Sequence, residues 1–560
     1  MTTDIGARRE ALRKRFPVWR EQTLADWLDI CAGRYGSRPF ILTDDVALSY
    51  ADVAAESRRL ADGLAALGVC AGDRVGMIMA NYPQFVTVKF AIARVGAVAV
   101  PLNFLYREDE LRYVLSDSAC RVVVMMTGFR GLDYQAMLDG IAPGWDAPTT
   151  DTPLTVVLLD TDGRARPDCM TVAGLAALGD ENPGAGCALG AHPRDASDML
   201  YTSGTTGSPK GVLVTHDAVL RTAYASALTR AYEDGRRILF SLPCYHMFGY
   251  IEGLLSVMFV GGAIIPQTIF SAEHYFAGIE RHRANDMLCV PTMAVVMVES
   301  AARKQYDLGS LRAILCGSAP APTWLWRRIE EDFGVSEIVT GYGMTECGGC
   351  MTLTRPEDPL ILTSESAGKP KMAGAASIPG TDALVAYKAV DAETAADLPA
   401  GAEGALLSNG PTSMLGYWNR PEETEAALRD GWVYSGDLGR VRADGYLEVT
   451  GRRKELYKSG GELVMPKEIE DLLTAHDEIS QVFAVGLVDE HWGEIGCVVV
   501  VPVPESTLTE DDVLDVCRAK LARFKVPKRV VFYRAEDLPK TPTGKVQKYK
   551  LVEQLTSTGC

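Results

Sequence analysis

The sequence predicts an α/β protein, on three observations. Between Ser49 and Val339 short apolar runs alternate with helix-length segments, as in βαβ units around a mainly parallel sheet. After Gly368 the runs shorten to pieces such as TDALVAYKAVD and GALLSNG, which suit a small antiparallel barrel. Past Arg452 a charged connector, GRRKELYK, leads into a compact α+β tail.

The elements follow in order. SYADVAAESRRLADGLAALG, from Ser49, places Val53, Leu60, Ala61, Leu64 and Leu67 on one helical stripe, with Gly68 as its stop. DRVGMIMAN is an apolar run closed by Asn81 and Pro83; VTVKFAIARVGA reads as a helix and AVAVPLN as the next strand. RVVVMMT near Val122 and LTVVLLD near Val156 repeat the pattern. IAPGWDAPTTDTP, Ile141 to Pro153, reads as a surface loop. A second βα series runs from about Ile238 to Val339 and includes LFSLPCYHMFG, AIIPQTIF, MLCVPT and LRAILCGSAP. In the tail, QVFAVGLVD and CVVVVPVP are strands. No internal repeat or low-complexity tract interrupts the chain.

At 560 residues the chain is too long for one ordinary domain. Hydrophobic residues make up 47% and charged residues 23%, the composition of a globular enzyme. A formal net charge of −17 opposes nonspecific binding to nucleic acid or anionic membrane, so any polyanionic ligand must be held by a local site. The longest apolar run, Gly253 to Pro266, is too short and glycine-rich to span a bilayer and is expected to be buried. The N-terminus lacks the apolar core of a signal peptide, and 13 cysteines without regular spacing point to reduced thiols in a cytoplasmic protein. Cys347 and Cys350 have CxxC spacing, but with no second pair they read as small pocket-lining residues.

The most informative stretch is YTSGTTGSPKG, Tyr201 to Gly211. Glycine lets backbone N–H groups close on a phosphate, while the hydroxyls and Lys210 add donors and charge. It is not a Walker A loop. Counting from Gly204 puts Pro209 where the second glycine belongs and Gly211 where the metal-binding hydroxyl belongs. The competing reading is an ordinary polar loop.

Further polar islands lie downstream: GYGMTE from Gly341 to Glu346, YSGDLG from Tyr434 to Gly439, GRRKELYKSGGELVMPKEIE from Gly451 to Glu470, and PKTPTGKVQK from Pro539 to Lys548. Together they supply what a nucleoside triphosphate needs: phosphate donors, a carboxylate for Mg2+, an acid for the ribose hydroxyls and an aromatic face. Their order and spacing resemble the adenylate-forming enzymes, which include acyl-CoA synthetases, luciferases and peptide-synthetase adenylation domains, over nearly the whole chain from Ser49 to Leu551.

The resemblance implies a large N-terminal domain, residues 1–450, of two doubly wound subdomains plus a small β-barrel, and a small mobile α+β C-terminal domain, residues 451–560. It implies ATP, Mg2+ and CoA as cofactors and two steps. A carboxylate attacks the α-phosphate to give an acyl-adenylate and pyrophosphate; a thiol then takes the acyl group and releases AMP. Residue by residue, Thr202, Ser203, Gly204, Thr205, Thr206, Gly207 and Lys210 match the phosphate loop. Tyr342 would stack on adenine, Thr345 touch the α-phosphate and Glu346 hold Mg2+. Asp437 would accept from the ribose hydroxyls and Arg452 reinforce ribose and phosphate contacts. Lys454 sits at the hinge, and Lys545 matches the catalytic lysine of adenylation. His246 matches an aromatic gate between the ATP and acyl sites, against the reading of a buried, hydrogen-bonded histidine. For Lys210 and Lys545 the competing reading is a solvated surface lysine, and for Tyr342 a core aromatic.

On the same resemblance the acyl pocket includes Tyr245, His246, Met247, Phe248, Gly249, Gly317, Ser318, Ala319, Gly343 and Cys347. These side chains are mostly apolar or small, favouring a hydrophobic carboxylic acid. YHMFGY carries no acid to grip an α-ammonium, so a free amino acid is not the expected substrate. Two stretches depart from the family pattern: ELVMP, with Leu463 and Met465, and Val546, Gln547 and Lys548 where an arginine is common. Both touch the thioester face, although Gly460 and Gly461 keep the pantetheine path. The tenth motif lies close to Cys560, so the thiol is expected in trans, from CoA or from a separate carrier protein or partner enzyme. A nucleotide-binding regulatory protein without chemistry is the reading of a different class.

Overall fold

The structure, a computed structural model, describes residues 4–146, 154–186, 190–202, 209–319, 321–452, 455–459, 462–489, 493–541 and 544–557. Two seven-stranded sheets organise the large N-terminal part. In one, Arg74–Ile78 lies centrally. The chain moves first to one side, to Val98–Pro101, and then to the other, to Val122–Met126 and Thr155–Leu159, before Ala196–Thr202 returns beside Val98–Pro101. All five strands are parallel, and the reversal of direction is the doubly wound pattern expected from the sequence. The antiparallel strand Lys210–Thr215 and the short Gly416–Tyr417 extend the edge beyond Ala196–Thr202.

The other sheet is built the same way from Pro39–Leu42, Arg237–Phe240, Ala263–Pro266, Asp286–Cys289, Ala313–Cys316 and Glu337–Val339, all parallel, with Ala47–Ser49 antiparallel at its end. Helices cover these strands, which is why they read as continuous apolar runs without alternation.

The helix read from Ser49 spans Tyr50–Ala66. Ser49 Oγ accepts the Asp52 N–H at 3.2 Å while the Asp52 carboxylate accepts the Ser49 N–H at 2.8 Å, a reciprocal cap at the N-terminus. Val53, Leu60, Ala61 and Leu64 are buried, and Gly68 adopts the left-handed φ of +80° that ends the turn. The run Gly253–Pro266 is buried as expected, but as irregular helix: a π-helical stretch Phe248–Leu255, a 3-10 stretch Ser256–Val260, then strand Ala263–Pro266. Among the described residues no helix is long and apolar enough to cross a membrane.

The region read as a small barrel folds as antiparallel strands. Ala386–Val390, Gly404–Asn409, Trp432–Val441, Leu428–Arg429 and Leu447–Arg452 form a five-stranded sheet. Its last strand crosses the boundary drawn at 450, because Arg452 still pairs with Asp437 in register. The large part therefore runs through Arg452. Beyond it, Tyr457–Ser459, Glu462–Val464, Ile479–Asp489, Gly493–Pro502 and Arg529–Phe532 make a separate sheet flanked by helices Pro466–Thr474, Glu510–Lys520 and Lys548–Ser557. This tail buries its own apolar residues, Ile469, Leu473, Val498 and Val513 on one face and Leu487, Val499, Leu551 and Leu555 on the other, separately from the core that extends from Leu12 to Val433. Lys454, the expected hinge, lies outside the described residues.

Candidate active site

The polar islands converge where the two sheets, the small antiparallel sheets and the tail meet. Asp437 is 4% exposed and holds two groups: the Tyr342 hydroxyl donates to Oδ2 at 2.5 Å, and Arg452 Nε approaches Oδ1 at 3.0 Å. The antiparallel register of Trp432–Val441 against Leu447–Arg452 sets Arg452 opposite Asp437, so the backbone itself makes this pair. Tyr342 stands on the strand Gly341–Met344, whose neighbour Gly349–Leu353 comes so close that a side-chain carbon on Gly343 would lie 1.9 Å from the Gly349 carbonyl oxygen. Gly343 is therefore required by backbone contact. Burial and the Asp437 carboxylate push the Tyr342 phenol well above its ordinary pKa, so it is a hydrogen-bond donor at any physiological pH.

Glu346 follows in a short turn, Thr345–Cys347, and is 7% exposed. Burial raises its pKa, against the opposing pull of the Tyr417 hydroxyl, which donates to Oε1 at 2.9 Å. A desolvated carboxylate is stabilised by a cation placed beside it. Thr345, 8% exposed, shares this turn.

The residues expected to form the phosphate loop are flanked by the antiparallel strands Ala196–Thr202 and Lys210–Thr215, with Thr202 paired to Lys210. Ser203, Gly204, Thr205, Thr206 and Gly207 lie outside the described residues. Both flanks are tied to the helix Glu108–Ser118. Tyr113 Oη donates to the Pro209 carbonyl at 3.0 Å, and Tyr201 Oη donates to Asp117 Oδ2 at 2.7 Å. Arg420 bridges the two, donating to Asp117 Oδ1 at 2.8 Å and to Tyr113 Oη at 3.3 Å. The Lys210 ammonium lies 5.0 Å from the centroid of the Tyr417 ring.

Lys545 reaches this cleft from the tail. Its turn is closed by the Thr541 N–H donating to the Lys545 carbonyl at 2.7 Å and by Gly544 at φ +79°. The turn abuts the large part so closely that a side-chain carbon on Gly544 would lie 2.7 Å from Val290 Cγ2. The Lys545 side chain is surrounded by protein but faces the open cleft. Its pKa falls to about 8, first through desolvation and then through the like charge of Arg452, with Glu455 and Asp437 opposing. Lys548, in place of the more common arginine, pairs with Glu455 at 2.9 Å and Glu470 at 2.8 Å and anchors the following helix.

His246 lies within the field of Lys545, and its pKa falls to about 4 through desolvation and that charge. It is neutral at physiological pH, and its Nδ1 accepts the Phe248 N–H at 3.2 Å, which leaves the proton on Nε2. The hydrogen bond is the one expected of a buried histidine. Behind it, Tyr245 packs edge-on to Phe104 at 5.3 Å.

A side-chain carbon on Gly317 would stand in ordinary contact with Gly341, 3.6 Å from its carbonyl oxygen and 3.9 Å from its nitrogen, and 3.8 Å from Phe248 Cζ. Ser318 is held at φ +74°, a left-handed strain for a non-glycine residue, and with Ala319 it is exposed to the cleft. Met247 and Ile251 face Gly349 at 3.5 and 3.7 Å from its would-be side chain. Burial pushes the Cys347 and Cys350 thiols up to about 12, so both stay protonated, in line with pocket lining. Gly249 is pressed against the Leu242 carbonyl and shapes the backbone there. At the thioester face Met465 packs against Gly451, 3.2 Å from its would-be side chain; Gly460, Gly461 and the Leu463 side chain lie outside the described residues.

Tyr417, Tyr113, Asp117 and Arg420 are absent from the sequence-based site. A signal existed for two of them: MLGYWNRPEE, Met414 to Glu423, is another island of aromatic and turn residues.

Comparison with known proteins agrees with this geometry. Residues 28–418 match the family of AMP-binding enzymes and residues 468–545 the AMP-binding enzyme C-terminal domain. The chain is 34% identical to the long-chain-fatty-acid–CoA ligase FadD13 of Mycobacterium tuberculosis over 516 residues, 92% of this chain and 94% of that one. It is 33% identical to a feruloyl-CoA synthase from Amycolatopsis over 504 residues, 90% of this chain and 93% of that one. Among solved structures, the anthranilate CoA ligase AuaEII in complex with anthranoyl-AMP superposes with a TM-score of 0.82 at 25% identity, covering 97% of this chain and 99% of that one. With the cleft built as the islands require and the match extending into the tail that carries Lys545, the chain belongs to the AMP-binding enzyme family, among the adenylate-forming acyl-CoA synthetases.

Proposed function

We propose that this protein activates a hydrophobic carboxylic acid with Mg·ATP and transfers the acyl group to the thiol of CoA. The observation that carries the reading is the delivery of Lys545, from a separately folded tail, into the cleft lined by Tyr342, Asp437, Arg452 and Glu346. In the first step a substrate carboxylate oxygen bonds to the α-phosphorus as the bond to the pyrophosphate oxygen breaks. The Lys545 ammonium faces the negative charge that gathers on the α-phosphate, and Lys210 that of the departing pyrophosphate. Asp437, already oriented by Tyr342 and Arg452, accepts from the ribose hydroxyls. Between the steps the tail rotates about Lys454; in the second, the thiol sulfur bonds to the acyl carbon as the bond from that carbon to the AMP phosphate oxygen breaks, and the thiol proton passes to solvent.

The donor set fits Mg2+. Glu346 is one buried carboxylate with raised pKa, and among the described residues no cluster of three or more His, Cys, Asp or Glu forms, as suits an ion held by one carboxylate and substrate phosphates. Bound there, the ion neutralises charge on the phosphates. A separate carrier protein as acceptor, or nucleotide binding without chemistry, fits less well, since the relatives named above are CoA ligases over most of their length and a binder has no use for a desolvated lysine.

The apolar and small lining from Met247 to Phe248 and around Gly317 supports a hydrophobic acid. Exchange of labelled pyrophosphate into ATP, driven by a panel of aliphatic, aromatic and alicyclic acids, tests the reading. Exchange with at least one of them, lost in Lys545→Ala, is expected; exchange that survives the substitution removes Lys545 from the first step.

A further inference from the structure

We infer that Tyr417 is the positioning residue that holds the metal carboxylate and the phosphate-loop lysine apart and ready for Mg·ATP; the inference rests on the roles proposed above for Glu346 and Lys210. Its backbone has little freedom. Gly416–Tyr417 pairs with the outer edge of Lys210–Thr215, Val212 opposite Tyr417. The Trp418 N–H donates to the Gly211 carbonyl at 2.7 Å and the Leu415 N–H to the Leu213 carbonyl at 2.9 Å. The Tyr417 N–H donates to Thr424 Oγ1 at 2.9 Å. The same segment reaches Glu346, whose carbonyl accepts the Met414 N–H at 2.9 Å.

From this fixed point one side chain serves two opposite charges. The phenol hydroxyl donates to Glu346 Oε1, and the ring face receives the Lys210 ammonium at 5.0 Å from its centroid. A phenol is suited to both, being a neutral donor at its edge and electron-rich on its face. One ring thus holds both charges, the carboxylate at its hydroxyl edge and the ammonium at its face. The Tyr417 hydroxyl fixes Oε1, and a carboxylate desolvated in this way is stabilised by a cation beside it.

Two substitutions separate the two contacts. Tyr417→Phe keeps the ring under Lys210 and removes the donor to Glu346; Tyr417→Leu removes both. Binding of ATP to the full-length protein is titrated calorimetrically with excess MgCl2 and again with EDTA, alongside thermal denaturation. Loss of a hydrogen bond to a carboxylate predicts that Tyr417→Phe weakens Mg·ATP about tenfold and leaves metal-free ATP unchanged. Tyr417→Leu weakens both, because Lys210 also loses the ring that positions it. Wild-type Mg·ATP affinity in Tyr417→Phe, or equal losses with and without metal in that variant, overturns the inference. Glu346→Gln is the control on the underlying reading: it is expected to abolish the gain in affinity from Mg2+. A full gain in that variant removes Glu346 as the metal carboxylate, and the inference falls with it.

Discussion

Lys545 shows how one residue couples fold to reaction. Desolvation and Arg452 bring its pKa to about 8, so the ammonium proposed to serve adenylation is present below that pH and is lost as pH rises through it. For the free enzyme this predicts that kcat/KM for acid-dependent pyrophosphate exchange falls on the alkaline side of pH 8 along a one-proton limb. Lys545→Arg, which stays charged, is expected to lower the plateau and abolish that limb; an unchanged limb would assign it to another group. Lys545→Ala is expected to cost about 100- to 1000-fold in this step, the scale of losing one charge-stabilising donor. Gly317 sets a different limit. One added carbon there makes only ordinary contacts, so Gly317→Ala is expected to fold normally and to raise KM for bulky acids while sparing KM for ATP. Equal KM values for large and small acids would place the acyl group elsewhere.

At the scale of the element, the helix Glu108–Ser118 acts as a clasp on the phosphate-loop hairpin, with Tyr113 and Asp117 one turn apart and Arg420 across them. Asp117→Asn keeps the size and removes the charge that orients Tyr201 and Arg420. KM for ATP is expected to rise about tenfold, with KM for the acid unchanged. Steady-state kinetics in both substrates decides it, since a general loss of folding would move both constants together. The elements themselves were legible: Tyr50–Ala66 announced its stripe and cap, and the parallel strands their unbroken apolar runs. The clasp was not. Tyr201 and Asp117 are 84 residues apart, and Tyr417 and Glu346 are 71 apart, so their pairing depends on sheet order that no local pattern carries. The π-helical stretch Phe248–Leu255 also escaped a periodicity reading, because all of its residues are buried and no polar face marks a helical period.

Across the whole molecule, two separately buried bodies meet at one cleft, and the interior of the larger one holds fully buried ion pairs. Lys371 and Glu252 form an ion pair of 2.6 Å with both side chains fully buried, joining the segment after Lys369–Pro370 to the irregular helix Phe248–Leu255. Lys371→Met would leave Glu252 uncompensated and is expected to destabilise the protein by about 3 to 5 kcal/mol in denaturant unfolding; a change under about 1 kcal/mol would mean the carboxylate finds water or another donor. The site residues Tyr342, Asp437, Arg452 and Lys545 are spread over more than a third of the chain, yet their islands told the chemistry from sequence because each role demands one residue type. The acid they act on leaves no such mark, since small and apolar residues line many shapes of pocket. The most direct measurement is therefore mass spectrometry of the protein incubated with Mg·ATP and a library of hydrophobic acids, with and without CoA. Acyl-AMP without CoA and the matching acyl-CoA with it, both absent in Lys545→Ala, is the predicted result. Acyl-AMP that persists unchanged in the presence of CoA would contradict CoA as the acceptor.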